Sequence, residues 1–206
     1  CRHVKAFKEE KREVFLTHEE IVVLIDVLDQ SEREGSQRAS VIAALRLLLH
    51  TGCRLNEILT LEWSFYDEGR QCLFLPDTKT GQRTVRLSSQ AVAVLKGIKR
   101  VEGNPYVIIG HKRGCRLVNL QKPWRRIRAK ARLDHVRIHD LRHTYASLAA
   151  ELGKSLHEIG KLLGHSSQQT TARYSHLTDA HIADASEAIG DRIESVREGS
   201  GRTTAQ

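Results

Sequence analysis

Apolar residues recur every three or four positions along most of this chain and switch to alternation over one short internal stretch. Thr17-His18-Glu19-Glu20 reads as a capping box, with Thr at the N-cap and Glu three residues on, ahead of the apolar run IVVLIDVL. A second helix is predicted from Gln37 to His50 and is stopped by Gly52. There Ile42, Leu45 and Leu49 keep helical spacing, and Val41, Leu47 and Leu48 widen the stripe enough for burial. Leu55, Ile58 and Leu59 place a third helix just after Arg54. The period then changes. WSFYD, QCLFLP and RTVRLS are short and β-prone, and DEGR and TKTGQ between them suit hairpin turns.

Helical spacing returns after Ser88, a cap for SQAVAVLKGIKR, and again from Pro123 to Ala131, with proline tolerated at the first helical position. Further helices are predicted over Asp140–Leu152 and Ser155–Leu163. A second capping box, Ser155 to Glu158, opens the latter, and Gly153 and Gly164 act as stops. Two more are expected, around Gln168–His176 and from Thr178 to Ile189. The pattern predicts a mainly α fold with a small three-stranded antiparallel β-sheet (α+β), forming one domain over 15–189. From Gly190 the residues turn small and polar, so 190–206 is expected to be a disordered tail.

Composition narrows the class. The chain has 206 residues, 40% of them hydrophobic, and no apolar run of membrane-spanning length. It starts at Cys1 without any methionine, which reads as a fragment of a longer protein. Four scattered cysteines, never in CxxC spacing, argue against a zinc knuckle or a disulfide framework and fit a reducing cytoplasm. Net charge is +8, and its distribution matters more than its size. Between Lys112 and Arg142 stand eleven Lys and Arg against Asp134 and Asp140, whereas the first 34 residues are acidic on balance. A basic block of this kind suits a polyanion, because neutralised phosphates release condensed counterions. Lys112, Arg113, Arg116, Lys122, Arg125, Arg126, Arg128 and Lys130 are its candidate contacts to such a partner.

Candidate chemistry centres on RIHDLRHTYAS, Arg137 to Ser147. His139 and His143 are four apart and share a helix face, close to the HExxH zinc signature with Asp140 in place of Glu. Arg142 argues against a metal there, because a guanidinium that stays charged repels a divalent cation. As an oxyanion site the same residues agree: arginine forks two phosphate oxygens, and an imidazole exchanges protons near neutral pH. Such a site calls for a second arginine, a nucleophile and an acid for the leaving group. TGCRLNEILTL supplies Arg54 at a helix start, with Glu57 one turn on. TKTGQR puts Lys79 at a hairpin tip, and LLGHSSQQTTARYSHL holds His165 and Tyr174.

Together TGCRLNEIL, TKTG, HDLRHT and LGHSS…TTARYSH resemble the tyrosine recombinase (phage integrase) family, in this order and from about Phe15 to Leu177. The resemblance implies a DNA breaking-rejoining catalytic domain that needs neither metal, cofactor nor ATP. Arg54 and Arg142 would clamp the scissile phosphate, His165 would hydrogen-bond to it, and Lys79 would protonate the departing 5′ oxygen. His139 would move a proton with the tyrosine, and Tyr174 would attack phosphorus to form a 3′-phosphotyrosyl link. Glu57 and His143 would support these groups. The family also implies double-stranded DNA as substrate, a homo-tetramer on paired sites and a monomer when free, accessory DNA-bending or directionality proteins, and a cytoplasmic, nucleoid-associated setting with no membrane. On this reading residues 1–14 are the linker from an absent N-terminal DNA-binding domain. Two other readings stand beside it. ELGKSLHEIGKLLGHSS has the helix–glycine–helix form of a non-catalytic helix-turn-helix module. A type IB topoisomerase-like enzyme would relax supercoils with related chemistry.

Overall fold

Local caps fix where the helices begin. In the computed structural model, which describes residues 14–78, 81–165, 167–178 and 180–201, helix α1 (His18–Arg33) starts at Thr17. The Thr17 hydroxyl accepts the Glu20 N–H, and the Glu20 carboxylate accepts the Thr17 N–H. Helix α2 (Ala39–Thr51) ends at Gly52 in the left-handed region, φ 59°, and α3 (Leu55–Leu59) follows at once. Ser88 caps α4 (Ser89–Gly97), which stops short of the predicted Arg100.

Nine of the thirteen residues of α2 are buried, and the helix packs against α1, α3, α4 and α6 (Asp140–Glu151). That burial on every side matches the broad apolar stripe, and each fully buried Leu or Ile contributes roughly 1.5–3 kcal/mol of transfer free energy. Helix α2 is therefore the post on which the site is mounted.

The sheet has three antiparallel strands in the order β1 (Tyr66–Asp67), β2 (Cys72–Thr78), β3 (Gly81–Arg86). Leu73 faces Val85 and Leu75 faces Arg83 across β2 and β3. Leu73, Leu75 and Val85 are buried, so Arg83 stands on the core face of the sheet. The register slips between Leu75 and Thr78, around Pro76, which has no N–H to give the ladder. WSFYD was predicted to be a strand, but only its last two residues pair with β2. Trp63–Phe65 forms a 3-10 turn, held where the Trp63 N–H donates to the Pro105 carbonyl at 3.0 Å.

Helix α5 (Gln121–Lys130) begins two residues before the predicted Pro123, because the Asn119 side chain accepts the Gln121 N–H at 2.8 Å. Proline fits inside the first turn, where N–H groups lack helical partners anyway. Helix α7 (Leu156–Leu163) carries the expected Ser155–Glu158 capping box and ends at Gly164, φ 65°. Ala146, Ala149 and Ala150 of α6 let α7 approach closely, and with Ile159, Leu163 and Tyr174 they form a second, smaller core. The single helix predicted over Gln168–His176 is three pieces instead: α8 (Gln168–Thr171), a 3-10 turn (Ala172–Tyr174) and α9 (Ser175–Thr178). Paired threonines lower helix propensity there. Helix α10 (Ala180–Gly201) then runs well past Ile189, so the stretch expected to be a disordered tail is helical as far as Gly201. Its Ala, Glu and Arg content favours helix despite Gly190. Residues 1–13, Lys79 and the last five residues lie outside the described ones. Among the described residues no helix is long and apolar enough to cross a membrane.

Candidate active site

Four chain segments meet where α2 ends, α3 begins, α6 begins and α7 ends. Gly52 lets the first corner form, since a Cβ there would lie 2.5 Å from a ring carbon of Tyr145. Arg54 occupies the N-cap of α3. Its backbone N–H donates to Glu57 Oε2 at 2.7 Å, and its Nη1 donates to Glu57 Oε1 at 2.8 Å. Nη2 of Arg54 reaches the Gly164 carbonyl at 3.2 Å. Glu57 is itself buried, so its charge is held by cations rather than water.

Arg142, on the first turn of α6, is only 5% exposed. It donates from Nη1 to the Gly52 carbonyl at 2.6 Å and from Nη2 to the Leu163 carbonyl at 2.7 Å. Burial, and after it the neighbouring Arg54 and Arg83 guanidiniums, lowers its pKa to about 10, still fully charged at neutral pH. Two of its five N–H donors are used in these bonds, which leaves donors for an anion. Among the described residues, Arg54 and Arg83 share the Glu57 carboxylate, whereas Arg142 is held by backbone carbonyls. The excess of positive charge calls for a negatively charged ligand.

His165 follows Gly164 and is half-buried, its Nδ1 sharing a hydrogen bond with the Thr171 hydroxyl at 2.9 Å. Burial first, then Arg142 and Arg54, pushes its pKa down to about 4. Tyr174 sits on the 3-10 turn with 5% exposure, and its hydroxyl lies 2.7 Å from His143 Nδ1. Burial, and then His139, lowers the His143 pKa to about 4, so this imidazole is neutral near pH 7. His139, the residue that the sequence pairs with the tyrosine, packs edge-on against the His143 ring at 4.8 Å between centroids. It is His143, not His139, that touches the hydroxyl. Val14 and Phe15 line the same small cavity as His143 and Tyr174.

The structure therefore brings Arg54, Glu57, Arg142 and His165 together, and sets His139, His143 and Tyr174 beside one another on and around α6. Lys79 falls outside the described residues. Asp140, which stands where a zinc protease has its glutamate, accepts the Arg137 N–H at 2.8 Å and pairs with its guanidinium at 3.0 Å. It shapes the entry to α6. Among the described residues, no three His, Cys, Asp or Glu side chains are grouped closely enough to hold a metal ion.

Of the basic block, Lys112, Arg113, Lys122, Arg125 and Arg126 are exposed and Arg116 is partly so. Three are engaged within the chain. Arg116 donates to the Leu117 carbonyl at 3.5 Å. Arg128 donates to the Val136 carbonyl at 3.0 Å, and Lys130 pairs with Glu34 at 3.0 Å. Arg83 was missed in the sequence. Its guanidinium is buried, 3.3 Å from Glu57 and 2.6 Å from the Leu163 carbonyl. Strand alternation was the available signal, because it puts Arg83 on the same face as Val85.

The chain belongs to the phage integrase family, whose model matches residues 14–181. It is 32% identical over 158 residues to a tyrosine recombinase XerC of Xanthomonas campestris, a match covering 74% of this chain and 49% of that protein. The fold resembles the catalytic domain of bacteriophage HP1 integrase, with a TM-score of 0.65 and 23% identity, covering 85% of this chain and 95% of that one. It also resembles the XerH site-specific recombinase bound to difH substrate, with a TM-score of 0.66 and 23% identity, covering 82% of this chain and 52% of that one. The chain spans about half the length of the curated relatives it matches.

Proposed function

We propose that this chain is the catalytic domain of a site-specific DNA recombinase that cuts and rejoins strands through a 3′-phosphotyrosyl intermediate. The observation that carries the reading is the meeting of Arg54, Arg142 and His165, drawn from three distant segments, in one cluster with unspent N–H donors and excess positive charge. A phosphodiester supplies the missing negative charge. Arg54 and Arg142 bind its non-bridging oxygens and stabilise the charge of the pentacoordinate transition state, and His165 adds a hydrogen bond.

Tyr174 attacks phosphorus through its hydroxyl oxygen, forming the O–P bond as the bond to the 5′ oxygen breaks. The phenol proton passes to the imidazole pair, His143 and then His139. Lys79 gives a proton to the departing 5′ oxygen, so charge and atoms balance without metal or ATP. The link keeps the energy of the phosphodiester, and a 5′-hydroxyl from a second duplex reverses the step. The Tyr174 hydroxyl lies 2.7 Å from His143 Nδ1. The tyrosine hangs on helical pieces of four residues or fewer, which are marginal by themselves. Rebuilding this segment when DNA binds brings the hydroxyl to the phosphate.

Double-stranded DNA is accordingly the substrate and main partner, gripped outside the pocket by Lys112, Arg113, Lys122, Arg125 and Arg126. Four copies on two paired sites carry out the exchange. The exposed Ile189 and Ile193 of α10 suit packing on an adjacent copy. The test is a pool of short nicked duplexes of randomised sequence, in which the 5′ end diffuses away after cleavage. The chain should yield an SDS-resistant protein–DNA adduct that forms in EDTA. DNA binding without any adduct would favour the helix-turn-helix reading. Relaxation of plasmids lacking a selected site would favour the topoisomerase-like one.

A further inference from the structure

Arg83 makes more connections than any role in folding the sheet requires. It stands on β3, opposite Leu75 of β2. Its Nη1 donates to the Leu163 carbonyl at 2.6 Å and lies 3.3 and 3.4 Å from the two Glu57 carboxylate oxygens. Its Nη2 donates to the Leu162 carbonyl at 3.0 Å. Two of these partners, Glu57 and the Leu163 carbonyl, already serve a neighbouring arginine. Glu57 holds Arg54 by its guanidinium and its backbone. The Leu163 carbonyl also receives Arg142, and Gly164, the next residue, gives its carbonyl to Arg54 and leads into His165.

Gly164 is shaped to the same purpose. It has φ +65°, and a Cβ built there would collide with the Arg83 stem and guanidinium. The glycine between Leu163 and His165 is thus needed twice, for the left-handed turn and for the passage of Arg83. An alanine would have to displace a buried arginine.

We propose that Arg83 is a positioning residue for strand cleavage, one that locks Glu57 and the end of α7 together and so fixes Arg54, Arg142 and His165 relative to each other. It does not touch the phosphate. The planar fork is what allows one side chain to hold a carboxylate and two carbonyls at once, and a lysine ammonium offers no such fixed geometry. Displacing a reacting or clamping group by about 1 Å costs on the order of 100-fold in rate.

The inference rests on the proposed function, and its test separates the two. A nicked duplex selected from the randomised pool is mixed, in excess over the protein and at a series of concentrations, with wild-type chain, R83K or R83Q, and adduct formation is followed in time. The amplitude reports the fraction of correctly folded protein, the rate reports positioning, and the DNA concentration giving half the maximal rate reports binding. For R83K and R83Q we expect the maximal rate to fall about 100-fold, with amplitude and half-saturating DNA within a few-fold of wild type. A wild-type rate in either variant overturns the proposal. So does loss of amplitude alone, or failure of both to fold, because Arg83 would then serve stability only. Absence of any adduct from the wild-type chain contradicts the proposed function and this inference with it. A normal wild-type adduct with an unchanged R83K rate contradicts this inference alone.

Discussion

Arg142 donates to the Gly52 and Leu163 carbonyls, so one guanidinium ties the end of α2 to the end of α7 before any ligand arrives. Pre-fixed donors of this kind cost no reorganisation when charge develops on an oxyanion. Arg54→Lys and Arg142→Lys should each slow adduct formation by about 100- to 1,000-fold, since lysine cannot fork; measured rates close to wild type would show that the clamp lies elsewhere. The two histidines with pKa near 4 give a pH signature. Their folded values lie below the unfolded value of about 6.5, so the unfolded chain binds more protons between those limits and stability falls as pH drops through them. Thermal melts should therefore show a lower Tm at about pH 4.5 than near pH 7, and His143→Gln should shrink that difference. On the proposed function a bound phosphate favours the charged form of His165, whose pKa lies at about 4, so DNA binding at mildly acid pH should take up protons. Calorimetry in two buffers of different ionisation enthalpy reads that uptake directly, and equal heats in both would argue against it.

At the level of helices and strands, the sequence was most legible where the cause is local. Thr17, Ser88 and Ser155 cap the helices they were expected to cap, and Gly52 and Gly164 stop theirs, because each signal needs only its own turn. WSFYD and the segment around Tyr174 misled for the opposite reason. Trp63 is held by Pro105 from a distant loop, and the Thr171 hydroxyl shares a hydrogen bond with His165 Nδ1 across the segment. The residues of the site were legible as motifs, but their pairings were not. That His143 and not His139 meets Tyr174 depends on how α6 is rotated, and the part played by Arg83 depends on strand register. Helix α5 offers a test of packing. Trp124 is buried and donates its indole N–H to the Val136 carbonyl at 3.2 Å. Trp124→Ala should cost about 3–5 kcal/mol in urea unfolding, and a change below about 1 kcal/mol would mean that α5 is not part of the core.

Over the whole chain, charge and shape divide the labour. On the proposed function, the arginine cluster offers a few buried donors to the phosphate, and the exposed Lys112, Arg113, Lys122, Arg125 and Arg126 are the candidates for long-range attraction. Affinity for duplex DNA should fall steeply with salt, and each of Lys122→Ala, Arg125→Ala and Arg126→Ala should flatten the log–log slope by about 1. Lys130→Ala should leave the slope near wild type, because its ammonium sits on Glu34. Covalent chemistry at Tyr174 is the decisive property. The adduct formed on the nicked duplex can be digested with trypsin and nuclease and mapped by mass spectrometry. A 3′-linked phosphoryl group on Tyr174, absent in Tyr174→Phe although that variant still binds DNA, is the expected result. A phosphoryl group on another side chain, or an adduct that persists in Tyr174→Phe, would refute the mechanism.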